Sequence, residues 1–127
     1  MKMGNEAPHT LAFLDFELTP ARRLLLRDGQ PVRIGGRAFD LLALLAAQPG
    51  QVLGAAVLMR GVWPGMVVEE VNLRVQMAAL RKLLGDESCV VIATVAGHGY
   101  CFMPVVRGST PGAATGGNDY GTMAVNR

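Results

Sequence analysis

Apolar residues recur along this chain with two periods, and the change from one to the other separates strands from helices. Leu11 to Phe16 alternates loosely and carries aromatics, the pattern of a strand. Arg23 to Arg27 and Pro31 to Ile34 flank Asp28-Gly29. That pair readily supplies the positive φ angles of a tight turn, so the two runs predict a hairpin and, with the first strand, a small antiparallel sheet. From Arg37 to Gln48 the period becomes helical. Phe39, Leu42, Leu45 and Ala46 form one stripe with Leu41 and Leu44 beside it, and a helix apolar this far round belongs at the centre of a domain. Pro49-Gly50 ends it. A second, short helix is expected from about Ala55 to Val62, before Trp63-Pro64-Gly65. Glu69-Glu70 then place negative charge where the macrodipole favours it, opening a third helix that runs to Leu84 and stops at Gly85. Cys89 to Val95 and Tyr100 to Val105 are β-rich runs around Ala96-Gly97-His98-Gly99, a second hairpin.

The third helix changes the picture most. At 100° per residue, Leu73, Met77, Leu80 and Leu84 fall within about 60° of one another and form its buried stripe. Opposite lie Val75, Ala78, Ala79 and Lys82, bordered by Arg74 and Arg81 on one edge and by Asn72 and Gln76 on the other. A slim centre flanked by donors suits a major groove, where small side chains permit close approach and Arg, Asn or Gln reach phosphates or base edges. In isolation such a helix reads more simply as an amphipathic surface helix. Its context reverses that preference: two helices joined by a turn, then a glycine-tipped hairpin, make a helix-turn-helix with a β-wing beside it.

Several short runs also resemble a known family, the OmpR/PhoB-type winged-helix DNA-binding domain. They are Arg37-Ala-Phe-Asp-Leu-Leu42, Val62-Trp-Pro64, Asn72-Leu-Arg-Val-Gln-Met-Ala-Ala-Leu-Arg-Lys-Leu-Leu-Gly85 and Ile92-Ala-Thr-Val-Ala-Gly-His-Gly-Tyr-Cys-Phe102. Each is weak alone; four in this order are specific, and the likeness spans about Leu11 to Val105. It implies an α+β winged helix-turn-helix: an N-terminal antiparallel sheet, three helices and a C-terminal β-hairpin wing, with Gln51-Val-Leu53 as a short strand pairing with that hairpin. It further implies sequence-specific binding of double-stranded DNA by a bacterial transcriptional regulator, with the third helix in the major groove and the wing on the adjacent backbone or minor groove. Carried over by position, the candidate DNA contacts are Asn72, Arg74, Val75, Gln76, Ala78, Ala79, Arg81 and Lys82 on the helix, and Thr94, His98 and Tyr100 at the wing. Family members commonly occupy direct repeats, which implies a tandem dimer on DNA. The loop between the second and third helices can touch RNA polymerase, and here residues 63–68 form it. Packing against the helix pair is the preferred reading of Trp63. Met66, Val67 and Val68 divide evenly between a partner contact and packing at the start of the third helix.

Two departures weaken the expected affinity. Ala78 and Ala79 stand where relatives often carry arginines; an alanine cannot hydrogen-bond a base, though its methyl can pack on a thymine methyl, so direct readout should rest on Arg74, Gln76 and DNA shape. The wing carries Ala96, His98 and Cys101 in place of arginines. Protonated His98 would add a cation there; otherwise it is an exposed turn residue.

Composition bounds the rest. The chain has 127 residues, half of them apolar and 17% charged, enough to bury one core. Ten basic residues and six acids lie between Arg22 and Arg107, a net +4 that permits nucleic-acid binding without demanding it. No apolar run approaches the ~20 residues of a membrane span, and the N-terminus lacks a secretory core, so a cytoplasmic location is expected. Residues 1–10 read as a flexible leader, 11–106 as the DNA-binding domain and 107–127, with its glycines, as a flexible tail or linker to something C-terminal. The family's response regulators carry a receiver domain before this one, for which the ten residues ahead of the first strand leave no room. Cys89 and Cys101 fall out of register across the hairpin and read as free thiols. No spacing suggests a catalytic pair, a phosphate loop, a metal site or a cofactor, which argues against an enzyme. The competing reading is a winged-helix protein-interaction or dimerisation module with little affinity for DNA, favoured by Ala78, Ala79, Ala96 and the small net charge.

Overall fold

The computed structural model of the chain describes residues 9–109, which form two compact units. The first unit contains a five-stranded antiparallel sheet in the order β4-β3-β2-β1-β8. Its strands are β1 (Thr10–Phe13), β2 (Phe16–Thr19), β3 (Leu24–Arg27), β4 (Gln30–Pro31) and β8 (Arg107–Ser109). Leu11 to Phe16, expected as one strand, is instead broken by a two-residue turn at Leu14-Asp15, with Leu14 at φ 50°. Side-chain parity explains the break. Phe13 and Phe16 are three residues apart, so one straight strand would send them to opposite faces. Across the turn they become register partners, their rings stack at 5.4 Å, and Leu11, Phe13, Phe16, Leu18 and Leu25 are all buried. Arg27 closes the neighbouring pair, with its guanidinium 5.2 Å from the Phe16 ring and Nε donating to Asp15 Oδ2 at 3.0 Å.

The Asp28-Gly29 turn joins β3 to β4 with both residues at positive φ, 51° and 81°. The second strand of that hairpin is only Gln30–Pro31 rather than the expected run to Ile34. At the other end, Arg107–Ser109, read as the start of a flexible tail, pairs antiparallel with Thr10–Ala12 and covers what would be an open sheet edge. The rest of the expected leader and tail, residues 1–8 and 110–127, lies outside the described residues.

The second unit, Val32–Val106, holds α1 (Gly36–Ala46), β5 (Val52–Leu53), α2 (Ala55–Val62), α3 (Glu70–Leu84), β6 (Ile92–Val95) and β7 (Gly99–Phe102). α1 packs on α2 and α3 and touches β7, as its all-round apolar pattern requires. Ala38, Phe39, Leu41, Leu42, Leu45 and Ala46 are buried along it; Leu44 is half-buried. Each large apolar side chain of this core contributes on the order of 2 kcal/mol by leaving water. The three-stranded sheet β5-β7-β6 includes the short strand implied by the family resemblance, with Val52 opposite Cys101 and Leu53 opposite Tyr100. Gly99 makes that pairing possible. It sits at φ 143°, and a Cβ there would lie 2.1 Å from the Leu53 carbonyl oxygen. Three helices with a C-terminal two-stranded wing make this an α+β winged helix-turn-helix.

Candidate nucleic-acid interface

α3 begins after Glu69, whose extended backbone caps it, and ends at Gly85, whose φ of 72° closes the last turn. The buried stripe is the one its periodicity predicts: Leu73, Met77, Leu80 and Leu84. The opposite face is open. Asn72, Arg74, Val75, Ala78, Ala79 and Lys82 are exposed, and Gln76 is half-buried at the border. Val71 belongs to the same face, 47% exposed and one turn before Val75, and the sequence reading passed over it. It is visible in retrospect, because positions 71, 75, 78 and 82 follow one helical row.

The polar side chains on this helix are largely engaged within the protein. Arg74 pairs with Glu70 one turn earlier at 3.5 Å, both groups exposed. The Asn72 amide donates to the Glu69 carbonyl at 3.2 Å. Arg81 departs furthest from expectation, for its side chain is only 17% exposed. Its Nη2 donates to the Ile92 carbonyl at 2.5 Å and to Thr94 Oγ1 at 2.8 Å, and Nε reaches the same carbonyl at 3.2 Å. The guanidinium also lies 5.7 Å from the Tyr100 ring centre. Arg81 therefore bolts α3 to the first wing strand rather than extending towards a ligand. Thr94 and Tyr100, offered as wing contacts, are its partners. They stand opposite one another on β6 and β7, one pair below the turn of the wing.

Below this bolt lies a buried carboxylate that the sequence reading counted only as a charge. Asp86 Oδ1 accepts from the backbone N–H groups of Val90 and Val91 at 2.8 and 2.9 Å, and Oδ2 from Ile92 at 2.9 Å. Arg81 Nε stands 4.0 Å from Oδ2. Burial pushes the carboxyl pKa up, but the three N–H donors and Arg81 together outweigh it and hold Asp86 below its ordinary value. The loop from Glu87 to Val91, in which Cys89 adopts φ 55°, is thereby folded around one side chain that also feeds the start of β6.

The wing tip is Ala96-Gly97-His98, closed by His98 N donating to the Val95 carbonyl at 2.8 Å, with His98 exposed. Together with Ala55, Glu70, Thr94 and Tyr100 the tip borders a cleft of about 310 Å³ between the wing and the starts of α2 and α3. On the other side of α2, Met59, Arg60, Trp63, Met66, Val67 and Val68 line a shallow groove of about 270 Å³. Trp63 is buried there, beneath the Arg37 guanidinium at 5.9 Å; Arg37 also donates to the Val62 carbonyl at 2.6 Å. Met66 and Val67 are exposed, Val67 completely, while Val68 is half-buried. Both cysteines are free thiols, Cys89 exposed and Cys101 buried. Among the described residues no group of three or more His, Cys, Asp or Glu could hold a metal ion, and no helix is long and apolar enough to cross a membrane.

A family described as "Transcriptional regulatory protein, C terminal" matches residues 29–102, which include all three helices and the wing. The chain belongs to this family, the OmpR/PhoB-type winged-helix domains. It is a family of transcription-regulator DNA-binding domains and not a class of enzymes. Among sequence relatives, the transcriptional regulatory protein CutR of Streptomyces coelicolor is 34% identical over 94 residues, covering 73% of this chain and 42% of CutR. The chain thus spans less than half the length of that relative. Among solved structures, the DNA-binding domain of Escherichia coli CadC superposes with a TM-score of 0.70 at 30% identity, covering 80% of this chain and 97% of that one. The Klebsiella pneumoniae RstA DNA-binding domain, crystallised in complex with the RstA box, gives 0.66 at 28% identity, covering 76% and 98%.

Proposed function

We propose that this OmpR/PhoB-type domain binds double-stranded DNA sequence-specifically as part of a bacterial transcriptional regulator. In this reading α3 lies in the major groove and the wing rests on the adjacent backbone or minor groove. The observation that carries the reading is the open face of α3, slim along Val71, Val75, Ala78 and Ala79, cationic at Arg74 and Lys82, and braced against the wing by Arg81. The mechanism is physical. Arg74 and Lys82 replace counterions condensed on phosphate, and the face between them is pressed against base edges. Arg74 must share or leave Glu70 to do so, a modest cost for an exposed pair. Arg81, Thr94 and Tyr100 set the angle between helix and wing, and His98 is the wing residue placed to meet the duplex.

The test is a salt titration of duplex binding with Arg74→Ala and Lys82→Ala variants. Each substitution should weaken binding to all sequences alike and lower the slope of log K against log salt by about one. An unchanged slope in both variants would remove them from the interface. The same reading extends to a tandem dimer on direct repeats, to a cytoplasmic setting, and to RNA polymerase as a partner at residues 63–68, where Met66 and Val67 stand exposed beside an apolar groove. One observation favours a second reading. An exposed row containing two valines and two alanines also suits a protein partner, and such an interface would be nearly indifferent to salt.

A further inference from the structure

Several polar groups expected to read bases are engaged within the protein, Gln76 stands at the border of the open face and Lys82 is exposed on it, and the middle of that face is apolar. Arg81 is bonded to Ile92 and Thr94, Arg74 is paired with Glu70, and the Asn72 amide donates to the Glu69 carbonyl. Between these lie Val71, Val75, Ala78 and Ala79, the valines 47% and 57% exposed. The four side chains run about 12 Å along the helix axis at 1.5 Å per residue, close to the width of a B-DNA major groove. The two valines stand one turn apart on the open face, each about half exposed. Along the floor of a major groove the matching apolar group is the 5-methyl of thymine, which projects from the base edge and distinguishes thymine from cytosine without any hydrogen bond.

Building on the DNA-binding reading, we propose that this domain selects its site through thymine methyl groups packed against Val71, Val75, Ala78 and Ala79, with Arg74 and Lys82 supplying affinity but little sequence preference. The occupant is a major-groove segment carrying at least two thymines beneath α3. Glu69 and Glu70 stand exposed at the start of the strip and Arg74 is paired with Glu70, while Lys82 at its far end is opposed by no acid on α3, so that end favours duplex phosphate over a neutral protein surface. The short side chains of Ala78 and Ala79 allow the helix to approach closely enough for methyl contact.

The experiment uses the duplex enriched from a random library by the complete chain, with each thymine replaced in turn by uracil. That change deletes one methyl and leaves every hydrogen-bonding group in place. Binding should fall about fourfold at each of two or more adjacent positions, the equilibrium factor for one buried methylene-sized group, and remain unchanged elsewhere. A Val71→Ser, Val75→Ser double variant should bind the thymine duplex more weakly with the same salt slope, and lose the distinction between thymine and uracil at those positions. Both substitutions lie on the exposed face, and a retained thermal unfolding transition verifies the fold. Duplexes with uracil that bind as tightly as the thymine parent at every position overturn the methyl-reading proposal while leaving DNA binding intact. Failure of the chain to enrich any duplex overturns the DNA-binding reading and this inference with it.

Discussion

The Asp86 carboxylate shows how much of this domain depends on one side chain. It has no solvent exposure and takes three backbone N–H groups of the loop that leads into the wing. Asp86→Asn removes the charge and presents an NH₂ where a donor has to be accepted, so the variant should lose about 2 kcal/mol in chemical denaturation. The pH dependence follows from the direction of the shift. The folded carboxyl sits below its ordinary value, so its contribution is fully present above the unfolded pKa of about 3.9 and disappears as pH falls through the lower, folded value. The parent's melting temperature should therefore drop in that acidic window, and the Asp86→Asn curve should be flatter there; parallel curves would contradict the account. Gly99→Ala should be more damaging still. Its Cβ would collide with the Leu53 carbonyl at an angle that side chains rarely adopt, so β5 should separate from β7 and amide protection of Leu53 should fall.

Between helix and wing the decisive feature is Arg81. If it is a bolt rather than a phosphate contact, Arg81→Met should raise hydrogen exchange in β6 and weaken DNA binding without changing the salt slope. A slope lower by about one would mean the guanidinium meets phosphate after all. This distinction was not legible in the sequence. The α3 stripe of Leu73, Met77, Leu80 and Leu84 follows from a 3.6-residue period, and so did the assignment of its open face. A guanidinium turned towards a carbonyl 11 residues onward has no periodic signature, and neither does a carboxylate that gathers N–H groups four to six residues away. The Leu14-Asp15 turn was missed for a different reason. It contains neither glycine nor asparagine, and its traces are Asp15, a common turn residue, and the odd spacing of Phe13 and Phe16 on a face that had to bury both. Val71 is hard to assign from sequence because it directly follows the acidic start of the helix, in the first turn, where the helical row has only begun. The Asp28-Gly29 turn, the α2 limits and the Gly85 stop were all readable because each rests on a local preference of the backbone.

For the domain as an actor on DNA, the charge balance matters more than any one contact. A net +2 over the sequence is small, and the face of α3 is more apolar than cationic. Affinity at physiological salt should accordingly be modest for one copy, and a second copy on an adjacent half-site would raise it through effective concentration. Shortening an enriched direct repeat to one half-site should then cost far more than half the binding; equal affinity for one and two half-sites would contradict a tandem arrangement. Whether α3 reads duplex DNA at all is the claim on which the rest depends, and it is tested most directly by selecting from a random duplex library at low salt and titrating the enriched sequences with salt. The account predicts an enriched half-site whose log affinity falls linearly with log salt concentration. Absence of any enriched sequence, or retention indifferent to salt, would contradict it.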